Sequence, residues 1–271
     1  MSDECIHGFE PGFCAACFPP ATVVVEPAKK ARPVRQKPVS LREPSAARSG
    51  SRGGGETPAV AIGERRIYHA VHVDNLAGII TGDVVPDEAG EQSILSAEAS
   101  QARRSTLVPG RARSVAEHVA FTLSPGSSVW ESIRSGADDA RLHRSAAESA
   151  PADFVILVST IASALDLSGE EERGGLVVAD GDATGALTRF ASSEADVRGM
   201  LARILGDGES DVLLHAEVLV PGVFPFTRVS LIGVANDKVR DRVRTELASA
   251  AHRPRIAVYP PWFQAAEEAR F

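Results

Sequence analysis

Two histidines and a carboxamide lie along Ile67-Tyr-His-Ala-Val-His-Val-Asp-Asn-Leu-Ala-Gly-Ile-Ile80, spaced so that a short strand carries them straight into a helix start. Ile67, Ala70 and Val71 suit a pleated core, Asp74 or Asn75 can cap the helix, and Leu76, Ile79 and Ile80 supply its buried stripe. A strand ending at a helix N-terminus directs unpaired N–H groups at whatever lies above it, which suits an anion or a polar nucleotide. Taken alone, His69 and His72 read first as packing in a half-buried strand. A second signal stands far downstream, where Leu214-His-Ala-Glu-Val-Leu-Val220 sets Glu217 in an otherwise apolar strand. Period-2 alternation there puts Glu217 on one face with His215 and Leu219. On a solvated face that carboxylate is ordinary. In a cleft it can act on a substrate hydroxyl, an amide proton or a positive transition state.

All three cysteines fall in the first seventeen residues, as Cys5-Ile-His7 and Cys14-Ala-Ala-Cys17. Three thiolates and one imidazole at this spacing match a tetrahedral zinc knuckle, with Cys5, His7, Cys14 and Cys17 as ligands. A redox Cys-x-x-Cys lacks its strand-helix context here, and an accidental cluster of reduced thiols is the remaining alternative. A knuckle this small would depend on its metal to fold. From Pro19 to about residue 60 the chain turns rich in Pro, Ser, Ala and Gly and reads as a disordered linker. Between residues 19 and 53 it holds eight basic residues against Glu26 and Glu43, a net of +6, which leaves −13 on the rest of a chain at −7. A basic tether suits phosphate-backbone contact by counterion release, or serves only as a solvated spacer. No apolar run is long enough to span a bilayer and the first residues lack the apolar centre of a secretory signal, so a cytoplasmic protein is expected.

The elements that must position these residues begin near residue 61. Strands are expected at 66–72, 119–123, 154–158, 176–179, 213–219, 229–234 and 256–259. Helices are expected at 74–81, 129–134, from 160, at 183–190, 194–205 and 237–247, with a helix or loop around 101–104 and a polar loop over 135–151. Strands outnumber long helices without a regular alternation. The expected class is therefore α+β with a mixed, bent sheet and flanking helices. Three segments follow: a zinc knuckle over 1–18, a linker over 19–60, and one domain over 61–271.

The chain resembles the DarT-type ADP-ribosyltransferases, which move ADP-ribose from NAD onto a base in DNA. The resemblance rests on Tyr68–Ile80, on Arg103-Arg104 with Val108-Pro109, and on His118-Val-Ala-Phe-Thr-Leu-Ser-Pro125. It continues through Ala179-Asp-Gly-Asp-Ala183 with Thr188-Arg-Phe190, and Ala216-Glu-Val-Leu-Val220 with Val223-Phe-Pro-Phe226. Together these blocks cover about 66–263 in compatible order. The resemblance implies an ADP-ribosyltransferase-like fold, NAD as co-substrate, single-stranded DNA as acceptor, and a toxin held in check by a macrodomain antitoxin. It implies that His69 holds an NAD ribose hydroxyl, the backbone of Ala70 the nicotinamide amide, and His72 and Asn75 neighbouring parts of the dinucleotide. Arg104 matches the catalytic arginine, with Arg103 as the fallback if the register is off by one.

The chemistry fits these residue types. Breaking the nicotinamide–ribose bond makes an oxocarbenium-like sugar, which a carboxylate such as Glu217 can stabilise or relieve of a proton. A guanidinium suits a diphosphate or a base carbonyl. Asp182 stands where the family has Asn or His facing the acceptor. As an acceptor-only group it favours a base with a donor edge, such as guanine. After Pro125 this chain reads Gly126-Ser-Ser-Val-Trp-Glu where the family usually has Arg-Ser-Pro-Met-Leu-Tyr. Trp130 could therefore stack on a base or pack as a helix-face core residue. An RNA or protein acceptor, or a zinc-knuckle adaptor that binds NAD or nucleotide without turnover, are the alternatives.

Overall fold

The structure is a computed structural model describing residues 62–86, 92–168, 175–206 and 211–265. The four knuckle residues Cys5, His7, Cys14 and Cys17 and the linker expected over 19–60 lie outside the described residues. In chain order the elements are β1 (Arg66–His72), α1 (Leu76–Gly82), α2 (Ala97–Ser105), β2 (His118–Thr122), α3 (Ser128–Ser135) and α4 (Arg144–Glu148). There follow β3 (Phe154–Thr160), α5 (Ile161–Ser168), β4 (Val177–Ala179), β5 (Phe190–Ala191) and α6 (Glu194–Gly206). The last are α7 (Asp211–His215), β6 (Glu217–Pro221), β7 (Leu231–Val234), α8 (Asp237–Glu246) and β8 (Arg255–Val258).

The eight strands form one sheet in the order β5-β4-β6-β2-β1-β3-β7-β8. Every pairing is antiparallel except β7 with β8, so the expected mixed α+β architecture holds. The central strand β3, Phe-Val-Ile-Leu-Val-Ser-Thr, is apolar at consecutive positions because both of its faces are covered. Val155 and Leu157 join the main core with Ile67, Val71, Val119, Phe121, Val178, Val218 and Val220. The opposite face is covered in two parts. Phe154, Ile156 and Val158 pack with Trp130, Ile133 and Phe263, whereas Leu219 and Ala179 pack with Val108, Val115 and Ala183.

Between those two parts the sheet opens. β1 pairs with β3 over seven positions but with β2 at a single one, Tyr68↔Thr122. Beyond that position a side chain replaces the ladder, with His69 Nδ1 2.8 Å from the Ala120 carbonyl. A carbonyl can only accept, so Nδ1 carries the proton and Nε2 is the acceptor of the neutral ring.

Three expected elements differ. The segment 183–190 is a turn closed by Gly185 N–H to Asp182 O and Thr188 N–H to Gly185 O, and it ends in the short strand β5. The strand expected at 213–219 divides into α7, whose end is set by Ala216 N–H to Val212 O, and β6, which begins where Glu217 meets Thr122. His215 therefore does not share a strand face with Glu217. Finally, Asp74 and Asn75 do not cap α1 with their side chains. The chain enters it through a 3-10 turn over Val73–Asn75, which His72 caps by accepting from Asp74 N–H at 3.3 Å.

Candidate active site

The opening in the sheet borders a cleft lined by Tyr68, His69, Ala70, Ala120 and Thr122 from the splayed strands. Ser127, Ser128 and Val129 near the start of α3 line it too, as do Arg103, Asp182 and Glu217.

Glu217 stands at the first position of β6, where sheet pairing to Thr122 and Ala179 fixes its backbone on both sides. Its side chain is 13% exposed. Both Arg103 Nη1 and Nη2 donate to Glu217 Oε2 at 3.0 Å, while Oε1 accepts the Ala183 N–H at 3.1 Å. Burial raises the Glu217 carboxyl above its ordinary value, the Arg103 charge and the Ala183 N–H pull it down, and the nearby Asp182 charge adds to the rise. A carboxylate held this way is fixed in direction and is basic for its kind.

Arg103 reaches Glu217 because Ser96 sets the phase of α2: its hydroxyl accepts from Ala99 N–H at 3.2 Å and places Arg103 inward, 6% exposed. One residue along a helix is about 100° of rotation, so the adjacent Arg104 is exposed. Arg103, the fallback of the two, is thus the arginine that meets Glu217, while Arg104 is not among the residues that line the cleft.

Asp182 stands in the turn that also delivers Ala183. Its Oδ1 accepts from Thr184 N–H at 2.9 Å and Thr184 Oγ1 at 2.7 Å, and its Oδ2 accepts from Arg141 Nη1 at 3.3 Å. Burial acts to raise this carboxyl, but the Thr184 and Arg141 hydrogen bonds outweigh it and hold Asp182 below its ordinary value. The turn is tightest at Gly185, where a Cβ would meet Thr188 Oγ1 at 2.7 Å and Asp182 O at 3.0 Å, while one at Gly181 would meet Thr188 Oγ1 at 3.0 Å.

Trp130 borders the cleft but offers no ring face to a base. It is 3% exposed, its Nε1 donates to Trp262 O at 2.6 Å, and Phe154 and Phe263 pack on it edge to face. Of the two readings left open for Trp130, this burial and packing support the core role. His72 and Asn75 line an adjoining recess with Ser145, Ser149 and Phe154, which shares Ser93 and Ile94 with the cleft. The structure therefore gathers His69, Ala70, Asp182 and Glu217 in one cleft, sets His72 and Asn75 next door, and leaves Arg104 outside.

Arg141 lines the same cleft and was missed within a stretch read as polar loop. The available signal was Asp139-Ala-Arg141, an acid and a base two residues apart. Asp139 Oδ1 and Oδ2 accept from Arg141 Nε at 3.0 Å and Nη2 at 2.8 Å. Those hydrogen bonds lower the Asp139 carboxyl to about 2. Among the described residues, no group of three or more His, Cys, Asp or Glu side chains could hold a metal ion, and no helix is long and apolar enough to cross a membrane.

The family model described as ssDNA thymidine ADP-ribosyltransferase, DarT, matches residues 68–264. No curated protein matches the chain. Among solved structures, Thermus sp. 2.9 DarT in complex with ADP-ribosylated ssDNA is similar with a TM-score of 0.58 and 23% identity, covering 73% of this chain and 96% of that one. The same Thermus protein in complex with NAD+ gives a TM-score of 0.56 at 22% identity, over 73% and 97% of the two chains. Thermosipho africanus DarTG in complex with ADP-ribose gives a TM-score of 0.54 at 16% identity, over 73% of this chain and 51% of that one.

Proposed function

The chain belongs to the DarT family of single-stranded-DNA thymidine ADP-ribosyltransferases, and on that premise we propose how its cleft carries out NAD-dependent transfer of ADP-ribose to a base. The observation that carries the proposal is the Arg103–Glu217 pair, which lines one cleft with His69 and Ala70. His69, with its proton committed to Ala120 O, accepts a ribose hydroxyl through Nε2. The backbone of Ala70 holds the nicotinamide amide. His72 and Asn75 contact a neighbouring part of the dinucleotide from the adjoining recess.

Glu217 stabilises the positive charge that develops on the ribose as nicotinamide leaves, in a dry setting where such an interaction is strong. Its raised proton affinity also suits it to take the proton lost by the incoming base. Arg103 keeps Glu217 pointed at the sugar by donating twice to one oxygen. Asp182 faces the acceptor from the turn beside Glu217.

Incubation with NAD labelled on the adenylate, offered separately to single-stranded DNA, RNA and protein, tests the reading, with Glu217→Ala as control. Label on DNA alone, lost in the control, is expected. Label on RNA or protein instead moves the acceptor, and absence of both label and NAD consumption reduces the chain to a binding module.

Two parts of the reading rest on sequence. Cys5, His7, Cys14 and Cys17 form a zinc knuckle in a cytoplasmic protein, which zinc content of the full chain with and without Cys14→Ser checks. An ADP-ribose-removing macrodomain is the antitoxin partner, and its addition should strip label from modified DNA.

A further inference from the structure

The peptide that joins Asp182 to Ala183 is held at both ends. A trans peptide points its C=O and N–H in opposite directions, so whatever fixes the oxygen also aims the hydrogen. The Asp182 carbonyl accepts from Thr188 Oγ1 at 2.6 Å and from Gly185 N–H at 2.8 Å. From the far side of the same peptide, Ala183 N–H donates to Glu217 Oε1 at 3.1 Å. Ala183 is fully buried, whereas Thr188 is half-buried and is not among the residues that line the cleft.

The turn is shaped around the Thr188 hydroxyl. Its neck closes where Asp180 N–H donates to Arg189 O at 3.1 Å and Arg189 N–H donates to Asp180 Oδ1 at 2.8 Å, which returns the chain beside residue 182. Gly185 is exposed, so burial does not demand a glycine there, yet a Cβ would stand 2.7 Å from Thr188 Oγ1. Hydrogen bonds in series polarise one another, so two donors on the carbonyl make the N–H at the other end a stronger donor. Arg103 from α2 takes Glu217 Oε2 and the peptide takes Oε1, which holds the carboxylate against rotation about its last bond. The other charged and titratable groups near it are Asp182 in the turn and His69, Arg141 and His215 along the same cleft.

We infer that Thr188 is a positioning residue for the transfer: from outside the cleft, its hydroxyl orients the Asp182–Ala183 peptide so that the Ala183 N–H holds Glu217 Oε1 in place. The inference rests on the transferase reading and adds a residue to it. Thr188 touches no reacting atom and acts through one peptide on the carboxylate that does.

Thr188→Val keeps the branched shape and removes the donor. With single-stranded DNA as acceptor, kcat should fall roughly fivefold, the order expected of one neutral hydrogen bond, while KM for NAD and for DNA stay within about twofold. The acid limb of kcat should move to higher pH, because the Ala183 N–H lowers the Glu217 carboxyl and a weakened bond lets it rise. Thr188→Ser, which restores the hydroxyl, should bring both quantities back. Gly185→Ala puts a carbon against that hydroxyl and should reproduce the valine variant, with no further loss when the two are combined. Circular dichroism checks that each variant is folded. An acid limb that stays in place in both Thr188→Val and Gly185→Ala overturns the inference, as does a serine variant that fails to recover. A rise in KM for DNA at unchanged kcat also overturns it. All three leave the transferase reading standing, and absence of transfer by the unaltered protein overturns both.

Discussion

Two arginine–carboxylate pairs line one cleft, and they are built in opposite ways. Arg103 and Glu217 are 7% and 13% exposed and meet at 3.0 Å, whereas Arg141 and Asp182 are about a third exposed and meet at 3.3 Å. In the first pair desolvation is severe, and removing one partner strands a charge in the interior. In the second, water competes for the contact and screening keeps its net worth to about 1 kcal/mol or less. The contrast separates a fixed part of the cleft from an exchangeable one. The buried pair holds a carboxylate in one direction, and the open pair is free to trade its partner for a ligand.

The comparison breaks first, and most severely, at Glu217. Glu217→Gln should lower transfer on the order of a thousandfold in initial-rate assays with saturating NAD, because the amide cannot balance a developing positive charge. A loss below tenfold would mean that the buried pair is structural. Next, Arg103→Ala should destabilise the domain by about 3–5 kcal/mol in urea unfolding, since Glu217 is then buried without its counter-ion. Arg104→Ala, at an exposed position, should stay within about 0.5 kcal/mol. Similar losses for both would erase the distinction drawn between the two arginines.

A third prediction uses pH. His118 is fully buried on β2, its Nδ1 bonds Ser114 O at 2.9 Å, and its Nε2 has no partner among the described residues. Burial pushes it down to about 4 from an ordinary value of 6.5. Its folded value is depressed, so its stabilising contribution is present above pH 6.5 and is lost as pH falls toward 4. The fall amounts to about 3 kcal/mol. Urea unfolding across that interval should show the slope, and His118→Gln should flatten it.

Activity should respond differently. The acid limb of kcat should lie above 4.5, the ordinary value of a glutamate, because Glu217 is raised and must be ionised to act. Arg103→Ala should move that limb higher still, as the guanidinium is what holds the carboxyl down. The smallest effect belongs to the open pair. Arg141→Ala should cost the fold about 1 kcal/mol or less, measured by the same unfolding assay.

What could be read from the chain followed the range of the interactions. The strand and helix of Arg66–Gly82 were legible because apolar spacing within seventeen residues encodes them, and the isolated carboxylate at 217 marked itself by interrupting an apolar run. The choice between Arg103 and Arg104 depended on helical phase, which Ser96 fixes seven residues earlier in a segment with little apolar stripe to reveal it. Leu213–Leu219 read as one strand because a short apolar run does not distinguish helix from strand, and only pairing with Thr122 decides where β6 starts. Arg141 was invisible for a related reason: its contact with Asp182 spans 41 residues of sequence. Trp130 stood open between two readings until Phe154, Phe263 and Trp262 closed over it.

Ser96 carries a consequence for how the cleft keeps time. Its N–H and hydroxyl bond the carbonyls of Arg141 and Ala140, both at 2.8 Å, while the same hydroxyl caps the helix that bears Arg103. The two guanidinium groups thus hang from one latch, and releasing either segment requires opening it. In hydrogen–deuterium exchange the amides of Ser96, Ala99 and His143 should open as one unit with a single rate. The buried arginine–carboxylate pair and the open one would then loosen and tighten on a shared clock.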